Sequence, residues 1–329
     1  MNPTKLQDRF GRVINYLRIS VTDRCNLRCQ YCMPLEGLTF HPKSEILTFE
    51  EIVETVQVAN ELGIDRARLT GGEPLVRKGL PELVRMLKRE TDLKELSMTT
   101  NGLSLPETAE ALAEAGLDWV NVSMDSLDPK RFREITRFGD LERVWEGIER
   151  AAQAGLTPIK INTLILRGFN DDELDRWVEL TLEHELVVRF LELMPIGEGV
   201  RLKRLGGFCN LTERKEELIE RYGLVPDRPE RGNGPARYWR VPGAKGLIGF
   251  ITPISDKYCD SCNRMRLTAN GELRPCLAYD VHVKAGEAIQ RGDRRAVKRA
   301  FLQAAEIKPE GHHWEVGQTT RTVMSSLGG

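Results

Sequence analysis

Between Arg18 and Met194 the chain switches six times from a short strand-like run to an amphipathic helical stretch. The expected strands are Arg18–Thr22, Arg66–Thr70, Glu95–Thr99, Trp119–Met124, Pro158–Leu166 and Val187–Met194. Strands separated by helices do not pair as hairpins; they pair in parallel through right-handed crossovers. One intervening helix is predicted from Thr48, with Phe49, Ile52, Val53, Val56 and Ala59 at helical spacing, Thr48 and Glu51 as a capping box, and Gly63 as its stop. Another starts near Asp140, with Leu141, Val144, Trp145 and Ile148 on one face. The predicted fold class is α/β, a partial (βα)6 TIM-like barrel.

The strand faces narrow this further. Buried parallel strands ordinarily read as continuous apolar runs. Here five of the six alternate. Arg18, Ser20 and Thr22; Arg68 and Thr70; Ser97, Thr99 and Asn101; Asn121, Ser123 and Asp125; and Lys160 and Asn162 all fall on the face opposite the apolar residues. An antiparallel sheet with one wet face would give the same alternation, but the helices between the strands argue against it. The lumen is therefore expected to be polar and to hold a large polar ligand, whereas ordinary barrels fill that space with Val, Ile and Leu.

After Met194 the pattern changes. Gly197, Gly199, Gly206 and Gly207 mark loops, residues 226–235 are rich in Pro, Gly and Arg, and Arg264–Cys276 reads as a hairpin turning at Asn270-Gly271. The expected organisation is a barrel domain over residues 1–194 and a C-terminal extension over 195–329 that closes the barrel.

The cysteines carry the chemistry. Six of the seven fall in two groups, Cys25-x-x-x-Cys29-x-x-Cys32 directly after the first strand, and Cys259-x-x-Cys262 followed by Cys276. With an odd count, tight clusters and no export signal, metal or iron–sulfur ligation is favoured over a disulfide framework. A structural zinc wants four protein ligands, and the nearest His to the first group is His41, nine residues past Cys32. Three thiolates can ligate three irons of a cubane and leave the fourth open, unlike the four-cysteine sites of common carriers. For the second group the plain alternative is a zinc ribbon completed by His282, Asp280 or Cys209. Gly71-Gly72-Glu73-Pro74, one βα unit past the first cysteine loop, gains weight from that placement; alone it is an ordinary turn.

These motifs resemble the radical S-adenosylmethionine superfamily. The resemblance implies a 4Fe-4S cluster on Cys25, Cys29 and Cys32, with Tyr31 beside the adenine and Gly72, Ser123 and Met194 contacting S-adenosylmethionine. With the second cysteine group, and with Arg264 and Arg266 just beyond it, the chain is similar over Arg18 to Gly329 to the family of GTP 3′,8-cyclases of molybdenum-cofactor biosynthesis. That likeness implies a second 4Fe-4S cluster on Cys259, Cys262 and Cys276 and GTP contacts by Arg18, Arg68, Thr99, Lys160, Arg189, Arg264, Met265 and Arg266. It also implies an arm ending in Gly328 and Gly329 that reaches the substrate and takes part in catalysis. The implied reaction cleaves S-adenosylmethionine with an electron from an external low-potential donor. The resulting radical takes hydrogen from the ribose 3′ carbon of GTP, the carbon radical attacks C8 of guanine, and a further electron and proton give the 7,8-dihydro product, which goes on to cyclic pyranopterin monophosphate synthase. Two rival readings remain: a radical enzyme acting on a peptide, which would usually carry more C-terminal cysteines and need no cationic lumen, and a simple electron carrier, which has no use for open irons or the Gly71-Gly72-Glu73-Pro74 element.

Lys and Arg total 48 against 49 Asp and Glu, a net charge of −1, which argues against duplex nucleic acid as partner. No apolar run spans a bilayer and the N-terminus lacks the apolar core of a signal peptide. The cytoplasm and no membrane are expected, with a homodimer left open. Cys209 matches neither group and reads as a structural thiol. His312-His313 and Asp171-Asp172 read as solvated, and Trp145 and Trp177 as core.

Overall fold

A computed structural model describes residues 5–318, Thr320 and Met324; Gly328 and Gly329 lie outside them. The six expected strands are present as β1 (Tyr16–Ser20), β2 (Arg66–Thr70), β3 (Glu95–Thr100), β4 (Trp119–Ser123), β5 (Ile159–Ile165) and β6 (Leu186–Glu192). They pair in parallel in chain order. Between them run α1 (Phe49–Glu61), α2 (Leu80–Glu90), α3 (Leu105–Glu114), α4 (Pro129–Thr136), α5 (Leu141–Gln153) and α6 (Leu174–Glu183). The capping box at α1 is complete: Thr48 accepts from the Glu51 amide while Glu51 accepts from that of Thr48. Asp140 caps α5 by accepting from Arg143 N. Each cap satisfies amides that a helix start leaves unpaired.

The C-terminal residues add α7 (Glu198–Arg204), α8 (Leu211–Tyr222), β7 (Val225–Asp227), β8 (Arg237–Arg240), β9 (Leu247–Ile251), β10 (Arg264–Leu267), β11 (Glu272–Arg274), β12 (Val283–Lys284), α9 (Gly286–Gln290) and α10 (Arg294–Glu306). Their strands join the barrel sheet at both edges. The order is β12-β11-β10-β1-β2-β3-β4-β5-β6-β9-β8-β7, a partial barrel whose ladder does not close into a ring among the described residues. The hairpin at Asn270-Gly271 forms, as β10 against β11. Its first strand also docks in parallel on β1, and β9 docks in parallel on β6. The parallel run therefore holds eight strands where the sequence pattern shows six, because neither added strand is flanked by the βα period that marks the others.

The apolar strand residues Ile19, Leu69, Leu96, Met98, Val120, Val122 and Ile161 are buried with Val53, Val56, Leu83 and Val144 of the surrounding helices in one core. Trp177 and Cys209 belong to that core and Trp145 packs against it. No helix among the described residues is long and apolar enough to cross a membrane.

Candidate functional site

Parallel pairing fixes which polar residues meet. The register sets Arg266 beside Arg18 and Arg18 beside Arg68, and Arg68 beside Ser97. Three guanidinium side chains thus stand in a row across β10, β1 and β2, an arrangement of like charges that a bound anion would relieve. Burial, followed by Arg266 and Arg68, holds Arg18 well below its ordinary value. Arg189, on β6 and 5% exposed, is likewise lowered, chiefly by burial. Nε of Arg18 and Nε of Arg189 are buried without a hydrogen-bond partner, as are Thr99 Oγ1 and Asn162 Oδ1. Buried donors and acceptors are ordinarily satisfied, so this cluster marks a ligand position.

These residues line one cavity of about 310 Å³. All six clustered cysteines line it too, together with Tyr31, Gly72, Ser123, Met194, Arg264 and the three-arginine row. Two sequence motifs more than two hundred residues apart therefore open into the same space. Among the described residues no three His, Cys, Asp or Glu side chains converge closely enough to hold a single metal ion, as a structural zinc requires. A cubane spreads three cysteines over three irons, so its ligands need not meet at a point. The donor set fits iron–sulfur clusters.

Local geometry shapes the first cysteine loop. A Cβ on Gly72 would lie 2.3 Å from the Arg24 carbonyl oxygen, and one on Gly71 2.6 Å from that of Thr22. Only glycines allow this contact between the Gly-Gly-Glu-Pro turn and the chain entering the cysteines. Glu73 is 2% exposed and accepts from Leu75 N, Thr100 Oγ1 and Asn101 N. Burial pushes its carboxyl up to about 7 against those donors. Tyr31 donates to Asp125 Oδ2 at 2.8 Å, joining the loop to the end of β4. Arg137 has φ 67°, a strained value for a residue with a Cβ. Its guanidinium donates to the carbonyls of Arg28 and Met33 at 3.0 Å each, bracketing Cys29 and Cys32.

One expectation, a solvated His312, needs revision, and two expected GTP contacts have side chains away from the cavity lining. Lys160 is 1% exposed and sits off the cavity wall: its ammonium donates to the Arg231 carbonyl at 2.6 Å and lies 5.0 Å from the Trp119 ring centre. The loop at 231–235 lies beside it, because a Cβ on Gly232 would come 2.8 Å from Nζ while Gly234 and Pro235 line the cavity. Met265 is fully buried in the apolar core, since alternation along β10 turns it away from Arg264 and Arg266. Any contact it makes with a ligand is through its main chain. His312 is 6% exposed, donates from Nε2 to the Pro253 carbonyl and stacks on Trp314 with ring centres 4.1 Å apart. Both rings line the cavity; His313 beside it is exposed. Sequence reasoning missed Tyr258, whose only signal was its place directly before Cys259, and His312 and Trp314, which carried no local signal. Asp172 pairs with Arg131 at the surface, as expected.

Comparison with known proteins gives two profile matches along the chain. The Radical SAM superfamily profile matches residues 19–181, and the Molybdenum Cofactor Synthesis C profile matches 186–314. A GTP 3′,8-cyclase of Petrotoga mobilis is 47% identical over 98% of this chain and 99% of its own length. One from Pelotomaculum thermopropionicum is 48% identical over 98% of this chain and all of its own. Among solved structures, Streptococcus suis SuiB bound to S-adenosylmethionine superposes with TM-score 0.58 at 16% identity, over 84% of this chain and 64% of SuiB. The chain thus spans somewhat under two thirds of SuiB, and that likeness concerns the fold.

Proposed function

The chain belongs to the GTP 3′,8-cyclase family of the radical S-adenosylmethionine superfamily, and on that premise we propose how its residues divide the work. The protein is a radical enzyme that uses S-adenosylmethionine and iron–sulfur chemistry to convert GTP to (8S)-3′,8-cyclo-7,8-dihydroguanosine 5′-triphosphate. This is the first step of molybdenum-cofactor biosynthesis. The observation that carries the reading is the single cavity into which both cysteine groups and the buried arginines open.

Cys25, Cys29 and Cys32 would hold one 4Fe-4S cluster, and Cys259, Cys262 and Cys276 would hold a second. When bound, the first supplies the electron that breaks the sulfonium of S-adenosylmethionine, received from an external low-potential donor. Gly72 lets main chain approach the methionine end, while Tyr31, Ser123 and Met194 flank the nucleoside end. Arg18, Arg68, Arg189 and Arg266 neutralise the triphosphate, and Thr99 offers an unpaired hydroxyl. Arg264 and the Met265 main chain border the second group, where the guanine binds. Gly328 and Gly329, outside the described residues, take part by seating GTP or guiding the radical, a role supported by the family likeness alone. By orienting ribose C3′ towards the radical source and guanine C8 towards C3′, the cavity makes an intramolecular bond the favoured outcome. Water exclusion protects the radicals. The cyclised nucleotide is handed to cyclic pyranopterin monophosphate synthase.

Lys160 acts from behind the wall. Burial first, then Arg189 and Arg68, lower its ammonium to about 7. The incoming triphosphate offsets those like charges and restores the protonated form. Burial, the largest cause, persists on binding, so the bound value rises above about 7 without regaining that of ordinary lysine, and binding takes up part of a proton in the window just above pH 7. GTP affinity therefore falls as pH rises through that window and is flat, as far as Lys160 is concerned, below it. Calorimetry at pH 8 in buffers of different ionisation heat is expected to show proton uptake on GTP binding, abolished in Lys160→Met. No proton uptake in the unsubstituted protein would remove Lys160 from the phosphate site.

A further inference from the structure

One buried cation outside both cysteine motifs is tied directly to the second. Lys308, two residues beyond α10, is 2% exposed. Its ammonium donates to the carbonyls of Arg264, at 2.9 Å, and Pro275, and lies 3.5 Å from Cys262 Sγ. Arg264 follows Cys262 by two residues and Pro275 directly precedes Cys276. One side chain thus joins the two segments that carry two of the three thiols. Its three N–H groups are all committed, to two carbonyls and a sulfur, with no carboxylate among those partners. A buried ammonium without a counter-charge is costly, and the nearest source of negative charge is the thiolate group itself.

The third thiol is held by the same short segment. Gly311 packs on Cys259, where an added Cβ would lie 3.4 Å from Cys259 Cβ and 3.6 Å from its Sγ. Arg12, from the other end of the chain, donates to the carbonyls of Cys259 at 2.8 Å, Glu310 at 2.6 Å and Pro309 at 2.7 Å. Arg12 is itself fixed by Asp8 at 2.6 Å. Residues 308–311 therefore bracket all three cysteines of the second group.

We propose that Lys308 is a positioning residue for the second cluster, setting the spacing of its thiolates and making that cluster easier to reduce. An N–H pointed at a ligating sulfur, with its positive charge, stabilises the more negative reduced form. The idea rests on the two-cluster reading above, and its test separates the two. Full-length protein is prepared without oxygen in the Cys25/Cys29/Cys32→Ser background, so that only the second cluster is titrated, with Lys308, Lys308→Met or Lys308→Arg. Iron is counted, and electron paramagnetic resonance follows reduction against potential.

Lys308→Met is expected to lower the reduced-to-oxidised ratio at fixed potential at least tenfold, about 59 mV for a one-electron couple. Lys308→Arg recovers most of the shift. Loss of iron in Lys308→Met but not in Lys308→Arg also supports the bracket. A Lys308→Met protein with full iron and an unchanged spectrum and potential overturns the proposal, as does equal iron loss in both variants. Absence of any cluster in the parent background would instead sink the two-cluster reading.

Discussion

Replacing Cys25, Cys29 and Cys32 together by Ser is expected to abolish S-adenosylmethionine cleavage and to cut iron from about eight per chain to about four. Serine keeps the size and removes the soft thiolate that iron requires. Among the described residues lining the cavity, the other three thiols belong to the second group, and the remaining sulfurs are the thioethers of Met194 and Met324. Activity should drop to background, roughly 10⁶-fold or more below an ordinary enzymic rate. Cys209→Ser is the control: that thiol is 2% exposed within the apolar core, so its loss leaves iron and turnover unchanged. Iron by colorimetry beside 5′-deoxyadenosine by chromatography decides the matter. Retention of eight irons in the triple variant would show that these cysteines hold nothing.

The second large effect is expected from the arginine row. Arg18→Met removes a charge that the register sets between Arg266 and Arg68. Each charge-assisted hydrogen bond lost to the triphosphate costs about 1.5–3 kcal/mol, or roughly 10- to 150-fold in GTP affinity. Relief of like-charge crowding acts the other way on the free protein, whose melting temperature should rise. Weaker binding with higher stability is a signature that a merely structural arginine does not give. A variant that melts earlier and binds GTP as before would place Arg18 in the scaffold.

Much of this site was legible in the residues, for identifiable reasons. Capping boxes, period-2 alternation and cysteine spacing are local signals, so α1, the polar strand faces and both cysteine loops could be read from short windows. Pairing partners are not local. Nothing within Arg264–Leu267 announces that it will lie in parallel against Tyr16–Ser20, yet this pairing creates the row of three arginines. Lys160 shows the opposite limit. Alternation gives its strand face but not its partners, and its ammonium is taken up by the loop at 231–235 through the Arg231 carbonyl. His312 and Lys308 were illegible because their partners, the Pro253 carbonyl and Cys262 Sγ, lie tens of residues away in the chain.

The most direct test of the account follows one hydrogen. The reduced protein is incubated with S-adenosylmethionine and GTP deuterated at the ribose 3′ carbon, beside controls with ATP or no nucleotide. With GTP, the account predicts 5′-deoxyadenosine carrying one deuterium and an equal amount of a nucleotide joined between C3′ and C8. Cleavage that proceeds equally without GTP, or 5′-deoxyadenosine free of deuterium, would contradict it.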